Sequence, residues 1–185
     1  TLELWKTVAA HYAGNPAVAA YDTLNEPGEK AGTTSSKHWA FYDQMYKTIR
    51  SVDPDHIIIM ESCWGTANLP KPSDYGWSNV MYEYHHYTWN YISDLQGHKD
   101  SCKNLINSIN NANYGVPTYI GEYTCFGLED AWTYVMDEFN KAGWNYTSWA
   151  YKTNNSGSWG IYQEKTTQKV NPTSDSLADI KAKWS

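Results

Sequence analysis

Asp53-Pro54-Asp55-His56-Ile57-Ile58-Ile59-Met60 is the stretch that decides the fold. Before it, Trp39, Tyr42, Met45, Tyr46 and Ile49 recur at helical spacing, and Asp53-Pro54 ends that periodicity. After it, His56 to Met60 is apolar at nearly every position, the pattern of a strand buried on both faces. A helix followed at once by a fully buried strand is part of a parallel β-α-β unit, and the same alternation extends in both directions. Upstream, Leu2, Trp5, Val8, Ala9 and Tyr12 mark a helix closed by Gly14-Asn15-Pro16, and an apolar run from Ala17 to Leu24 follows. Downstream come a strand from Asn79 to His85 and a helix through Leu105, Ile106 and Ile109. A strand from Val116 to Glu122, a helix from Ala131 to Ala142 and a strand from Trp144 to Tyr151 complete the alternation, and a final helix spans Asp175 to Trp184. The class is α/β with about five parallel strands and flanking helices, read as a single domain over residues 1–185.

Composition narrows the partners. With 14 basic against 20 acidic residues, the net charge of -6 repels a phosphate backbone, so nucleic acid is not an expected partner. No apolar run is long enough for a membrane span, and no charged start followed by an apolar core resembles a secretory leader. Cys63, Cys102 and Cys125 are odd in number and contain no Cys-x-x-Cys pair, which argues against a zinc site or a disulfide framework. The aromatic content is unusual: 10 Trp and 16 Tyr against 3 Phe favour flat rings with a polar handle, suited to sugar faces as well as to cores.

In parallel α/β folds, ligands meet the carboxyl ends of the strands. Here those ends carry Asn25-Glu26-Pro27, Glu61, His85-His86-Tyr87, Glu122, and Trp149 with Lys152 just beyond. Glycoside hydrolysis needs two carboxyl groups flanking the scissile bond, and Glu26 with Glu122 meets that requirement. Either glutamate alone reads equally as a solvated loop-end group; the constellation of four polar and aromatic strand ends is what favours chemistry. Strand alternation turns His86 away from His85, and Lys152 is as readily a solvated side chain. Trp64, in the loop after the second strand, is either a further sugar contact or a loop-packing ring.

Tyr21-Asp22-Thr23-Leu24-Asn25-Glu26-Pro27 resembles the Asn-Glu-Pro signature of glycoside hydrolase family 5, the cellulase-like enzymes. Tyr82 to Tyr87 resembles that family's strand-six His-x-Tyr, Ile120-Gly121-Glu122-Tyr123 its strand-seven nucleophile, and Ser148 to Lys152 its strand-eight tryptophan. The resemblance implies a truncated (β/α)8 (TIM) barrel, matching strands four to eight. It implies Glu26 as general acid/base, Glu122 as nucleophile, Asn25 on the sugar 2-hydroxyl, His85 and Tyr87 around the carboxylates, and Trp149 under the sugar. Retention would place the two carboxyl groups roughly 5 Å apart. The implied activity is hydrolysis of a β-linked glucan, with cellulose ahead of mannan and β-1,3-glucan, by a secreted protein that needs no metal or organic cofactor. A binding protein that keeps the aromatic platform without turnover is the alternative. Because a five-stranded arc leaves two edges unpaired, a homodimer covering them is expected.

Overall fold

The computed structural model describes residues 1–28, 34–62, 65–154, 157–164, 170–171 and 173–184. Helix α1 (Leu2–Tyr12) precedes β1 (Ala20–Asp22); α2 (Ser35–Arg50) precedes β2 (Ile57–Glu61); the short α3 (Pro72–Tyr75) precedes β3 (Val80–Tyr87). Then come α4 (Leu95–Ala112), β4 (Thr118–Thr124), α5 (Glu129–Ala142) and β5 (Asn145–Tyr146). A separate pair, β6 (Lys152–Asn154) and β7 (Tyr162–Glu164), and α6 (Leu177–Trp184) complete the chain. Strands β1 to β5 form one parallel sheet in sequential order. Helical crossovers between sequential parallel neighbours generate the wall of an α/β barrel, here an arc of it.

The sequence explains the elements locally. The Thr34 hydroxyl accepts from the Lys37 N–H at the start of α2, and Asp94 caps α4 through the Gln96 N–H at 3.0 Å. Helix α5 stops at Gly143, which takes the left-handed conformation, φ 72°, that a side chain disfavours. Each helix turns one stripe to the convex side of the sheet. His38, Tyr42, Met45 and Ile49 are the buried positions of α2, and Ala131, Val135 and Phe139 those of α5. All of these but His38 join Tyr21, Ile58, Met60, Tyr82, Tyr84, Ile120 and Tyr123 in one hydrophobic core. Each fully buried ring or branched chain there contributes about 1.5–3 kcal/mol.

At the amino ends of the strands a polar network ties the floor together. Burial alone would raise the Asp53 carboxyl, yet hydrogen bonds from the Tyr21 hydroxyl, the Asp55 and His56 N–H groups and the His56 ring hold it well below the usual carboxylate range. His56 faces the Asn15 carbonyl and Asp53 with its two nitrogens, and both contacts favour its protonated form. Arg50 donates to four carbonyls, of His56 at 2.7 Å, Asn79 at 3.0 Å, Ser78 at 3.2 Å and Asp53 at 3.3 Å. One guanidinium thus joins the entries into β2 and β3.

Two features differ from the sequence reading. The loop from Ser62 to Ser78 contains α3, which Pro72 opens and Gly76 closes. The expected fifth strand from Trp144 to Tyr151 is a regular ladder only at Asn145 and Tyr146; the Thr147 and Trp149 N–H groups still donate to the Ile120 and Tyr123 carbonyls of β4, both at 2.9 Å, and the Ala150 backbone then pairs with Trp159 and Ile161. Among the described residues no helix is long and apolar enough to cross a membrane.

Candidate active site

The polar strand ends converge on the concave side of the arc, around His85. Its Nδ1 lies 2.8 Å from Glu26 Oε1, 3.4 Å from Glu61 Oε1 and 3.5 Å from Glu122 Oε2, while Nε2 lies 3.5 Å from Glu83 Oε1. The Tyr87 hydroxyl donates to Glu122 Oε2 at 2.6 Å. One nitrogen of His85 and one oxygen each of Glu26 and Glu122 all lie within 4.8 Å of one another. Glu26 sits just past β1 in a left-handed conformation, φ 40°, uncommon for a side-chain-bearing residue, and its N–H donates to Glu61 Oε2. That bond orients the turn that presents the Glu26 side chain, which is 56% exposed.

Glu122 reaches this face through a bulge. Tyr84 pairs with Ile120 and His85 with Glu122, so Gly121 is an extra residue in β4 with no partner across the ladder. Regular alternation from Ile120, fully buried on the helix side, would turn Glu122 into the core. The extra residue reverses that alternation and delivers the carboxylate to the concave face beside Tyr87. Glycine is required there, because a Cβ on residue 121 would fall 1.4 Å from Glu83 Oε1. The Glu83 carboxylate occupies the volume the glycine leaves open.

Acidic groups crowd this site. Burial raises the Glu61 carboxyl to about 8, with Glu83 and Glu26 adding to the effect and His85 and the Glu26 N–H opposing it. Asp22 is held above the ordinary carboxylate range by desolvation against the strands and then by Glu83. Burial disfavours the charged form of His85, but Glu83, Glu26, Glu61 and Glu122 together lift it to about 9, making it the positive centre of the cluster at neutral pH.

Among the sequence candidates, Glu26, His85, Tyr87 and Glu122 are brought into one cluster. Asn25 is exposed next to Glu26 in the chain. Trp149 donates its backbone N–H to the Tyr123 carbonyl at 2.9 Å, which anchors it at the end of β4, and its side chain is half exposed. Trp64 lies outside the described residues, as does Cys63; Cys102 and Cys125 are buried free thiols. His86 turns to the core side, against Phe139. Sequence reading missed Asp22 and Glu83. Glu83 stands inside an otherwise apolar and aromatic strand, and a charged residue in such a run was the signal that could have found it.

A parallel arc with acidic side chains gathered at the carboxyl ends of its strands defines a segment of an α/β barrel with its polar site on the strand-end face. The chain belongs to the cellulase family, glycosyl hydrolase family 5, whose family model matches residues 2–155. Among solved structures it is similar to endo-glycoceramidase II from Rhodococcus sp., seen as a lactosyl-enzyme intermediate. There the TM-score is 0.71 at 24% identity, over 91% of this chain and 42% of that one. An endoglucanase of Thermotoga maritima matches with a TM-score of 0.67 at 25% identity, over 87% of this chain and 60% of the other. In sequence, a β-xylosidase of Phanerodontia chrysosporium is 33% identical over 90 residues, and endoglucanase 3 of Fibrobacter succinogenes 35% over 89 residues. Those matches cover 46% of this chain in both cases, and 18% and 14% of the respective relatives.

Proposed function

We propose that this chain carries the catalytic carboxylates of a retaining β-glycosidase acting on a β-linked glucan, an endo-β-1,4-glucanase in the first instance. The observation that carries the reading is the approach of Glu26 and Glu122, from the ends of β1 and β4, to within 4.8 Å of each other at their nearest carboxylate oxygens. That spacing suits direct attack by one carboxylate, whereas inversion needs room for a water between the two. The Glu122 carboxylate attacks the anomeric carbon as the glycosidic C–O bond breaks, and Glu26 gives its proton to the departing oxygen. Glu26 then takes a proton from water, whose oxygen attacks the same carbon and releases Glu122 as carboxylate. Tyr87 aims Glu122 by its hydrogen bond, and His85 holds Glu26 and balances part of the negative charge. The names of the relatives, two endoglucanases, a β-xylosidase and an endo-glycoceramidase, support a glycosidic substrate. Mannan and β-1,3-glucan are the other substrates to assay, and an extracellular site of action accompanies the polysaccharide reading.

The test is sugar release from soluble neutral β-glucan by the wild type beside Glu26→Gln and Glu122→Gln, with the anomer formed first read by NMR. Each substitution is expected to lower the rate by about 100-fold or more, and the first product to keep the β configuration. An α product, or full activity in either variant, would refute the assignment. A second reading, a glycan-binding protein without turnover, draws on the exposure of the Glu26 side chain, 56%, and of Trp149, 50%, because catalysis gains from excluding water. Glycan binding without release of product would select it. The outer edges of β1 and β5 support pairing with further strands, of a second copy in a homodimer under our reading, and light scattering measures that directly.

A further inference from the structure

Glu61 touches both Glu26 and His85, yet it forms and breaks no bond in the double displacement. It is the last residue of β2, pairs with Glu83 in the ladder to β3, and has a side chain only 4% exposed. The Tyr42 hydroxyl of α2 donates to the Glu61 carbonyl at 2.8 Å, and the Ser62 N–H donates to the Glu83 carbonyl at 3.0 Å. A helix and a neighbouring strand thus hold this residue from two sides. Glu26 has no such frame. It lies in the turn past β1, with its backbone in the left-handed conformation that a side-chain-bearing residue keeps only where its surroundings impose it. Thr23 is still tied to β2, its hydroxyl donating to the Ile59 carbonyl at 2.9 Å. From Leu24 to Gly28 the bond from the Glu26 N–H to Glu61 Oε2 is the one backbone hydrogen bond among the described residues. The other oxygen of Glu61, Oε1, lies 3.4 Å from His85 Nδ1, and that nitrogen lies 2.8 Å from Glu26 Oε1. Glu61 therefore grips Glu26 at two points, the main chain directly and the carboxyl group through the His85 ring. Glu122 is held by other means, the bulge at Gly121 and the Tyr87 hydroxyl.

We propose that Glu61 is a positioning residue for the proton-transfer half of the reaction, holding the Glu26 turn so that the Glu26 carboxyl group reaches the glycosidic oxygen. The inference rests on the glycosidase reading and goes beyond it by separating what fixes the acid/base from what fixes the nucleophile. Groups on strands are placed more precisely than groups on loops, and Glu61 lends the rigidity of β2 to a residue that lies outside the ladder. What the turn requires at residue 61 is an acceptor oxygen aimed at the Glu26 N–H. A charge is not required, since burial raises the Glu61 carboxyl to about 8 and leaves it mostly uncharged near neutral pH. Without the acceptor, the Glu26 N–H loses its partner and the turn is free to relax from its left-handed conformation. A displacement of about 1 Å in a reacting group is enough to cost about 100-fold in rate.

Two substrates compared within each protein test this. The sugar leaving group of soluble β-glucan needs the proton of Glu26, whereas dinitrophenolate departs from dinitrophenyl β-cellobioside without one. Because kcat/KM extends only as far as formation of the glycosyl-enzyme, the ratio of the two kcat/KM values reads proton donation. Glu61→Met keeps the volume but offers no oxygen acceptor, and Glu61→Ala removes the side chain; in both, the glucan-to-aryl ratio is expected to fall about 10- to 100-fold from the wild-type value. Glu61→Gln, which restores an acceptor oxygen, should bring the ratio back to within about threefold of the wild type. The ratio does not depend on the fraction of protein folded, so a merely structural role would leave it at the wild-type value in every variant. An unaltered ratio in Glu61→Met and Glu61→Ala, or a ratio in Glu61→Gln as low as theirs, overturns the inference, while glucan hydrolysis by the wild type keeps the glycosidase reading in place. A wild type that hydrolyses neither substrate removes the glycosidase reading and this inference with it.

Discussion

Replacing Gly121 by alanine is the sharpest structural test of the bulge in β4. The added Cβ would lie 1.4 Å from Glu83 Oε1, 2.5 Å from its Cδ and 3.1 Å from its Cγ. Carbon contacts settle near 3.5–4.0 Å, so the Glu83 carboxylate must retreat by about 2 Å. It has nowhere easy to go, since Glu83 is only 2% exposed and Oε1 lies 3.5 Å from His85 Nε2. Overpacking of this kind costs about 1–3 kcal/mol. In a Glu83→Ala background the obstruction is gone. Because Gly121 has no positive φ, alanine there should instead stabilise by about 0.4–1 kcal/mol through the unfolded chain. The two effects differ in sign, so a double-mutant cycle should give a coupling energy of about 1.5–4 kcal/mol. Guanidinium chloride unfolding of the four proteins at one pH measures it. If G121A changed stability equally in both backgrounds, to within about 0.5 kcal/mol, the glycine would not be making room for Glu83.

Three further outcomes are expected. Tyr87→Phe, which removes the 2.6 Å bond to Glu122, should lower kcat about 10- to 100-fold with little change in KM; an unchanged kcat in steady-state assays would remove Tyr87 as the residue that positions Glu122. Arg50→Met deletes four bonds to backbone carbonyls and should cost about 1–3 kcal/mol in urea unfolding, and a loss near zero would mean water replaces the guanidinium without penalty. Asp53, depressed in the folded state, contributes stability above its unfolded pKa near about 4 and loses that contribution as pH falls below it. His56, raised in the folded state, contributes fully below about 6.5 and loses its part as pH rises through the folded value. Thermal unfolding against pH should therefore plateau between these limits. Asp53→Asn should flatten the acid side, and an unaltered acid limb would refute the assignment.

Much of this architecture was legible in the chain because the helices are amphipathic and the strands of the arc are bounded by Pro, Gly or Asn. Trp39 to Ile49 followed by His56 to Met60 identified α2 and β2 within a few residues, and the strand-end rule led to Glu26, His85 and Glu122. What escaped reading depends on register. The apolar content of Trp144 to Tyr151 signals a strand but says nothing about the regular ladder ending at Tyr146, or about Ala150 pairing with Trp159 and Ile161. Glu83 was hidden because its role arises from the space left by a glycine in the neighbouring strand, a relation across 38 positions that no local period records. The bulge had a local sign, the glycine interrupting Tyr119-Ile120-Gly121-Glu122, but periodicity alone treats that residue as one more step in the alternation.

That extra residue gives β4 a parity. Between the paired Ile120 and the paired Glu122 the chain advances two positions while β3 advances one, so the faces of β4 exchange contents at a single point. Deleting Gly121 would put Glu122 one step from Ile120 and opposite His85 in an unbroken ladder, with its carboxylate still on the concave face, whereas regular pairing imposed on the intact sequence would send that carboxylate toward Phe139 and bring Tyr123 out to the concave side. In this strand the chemistry is set by the agreement between residue count and register: the glycine can be lost together with its bulge, but neither can be changed without the other.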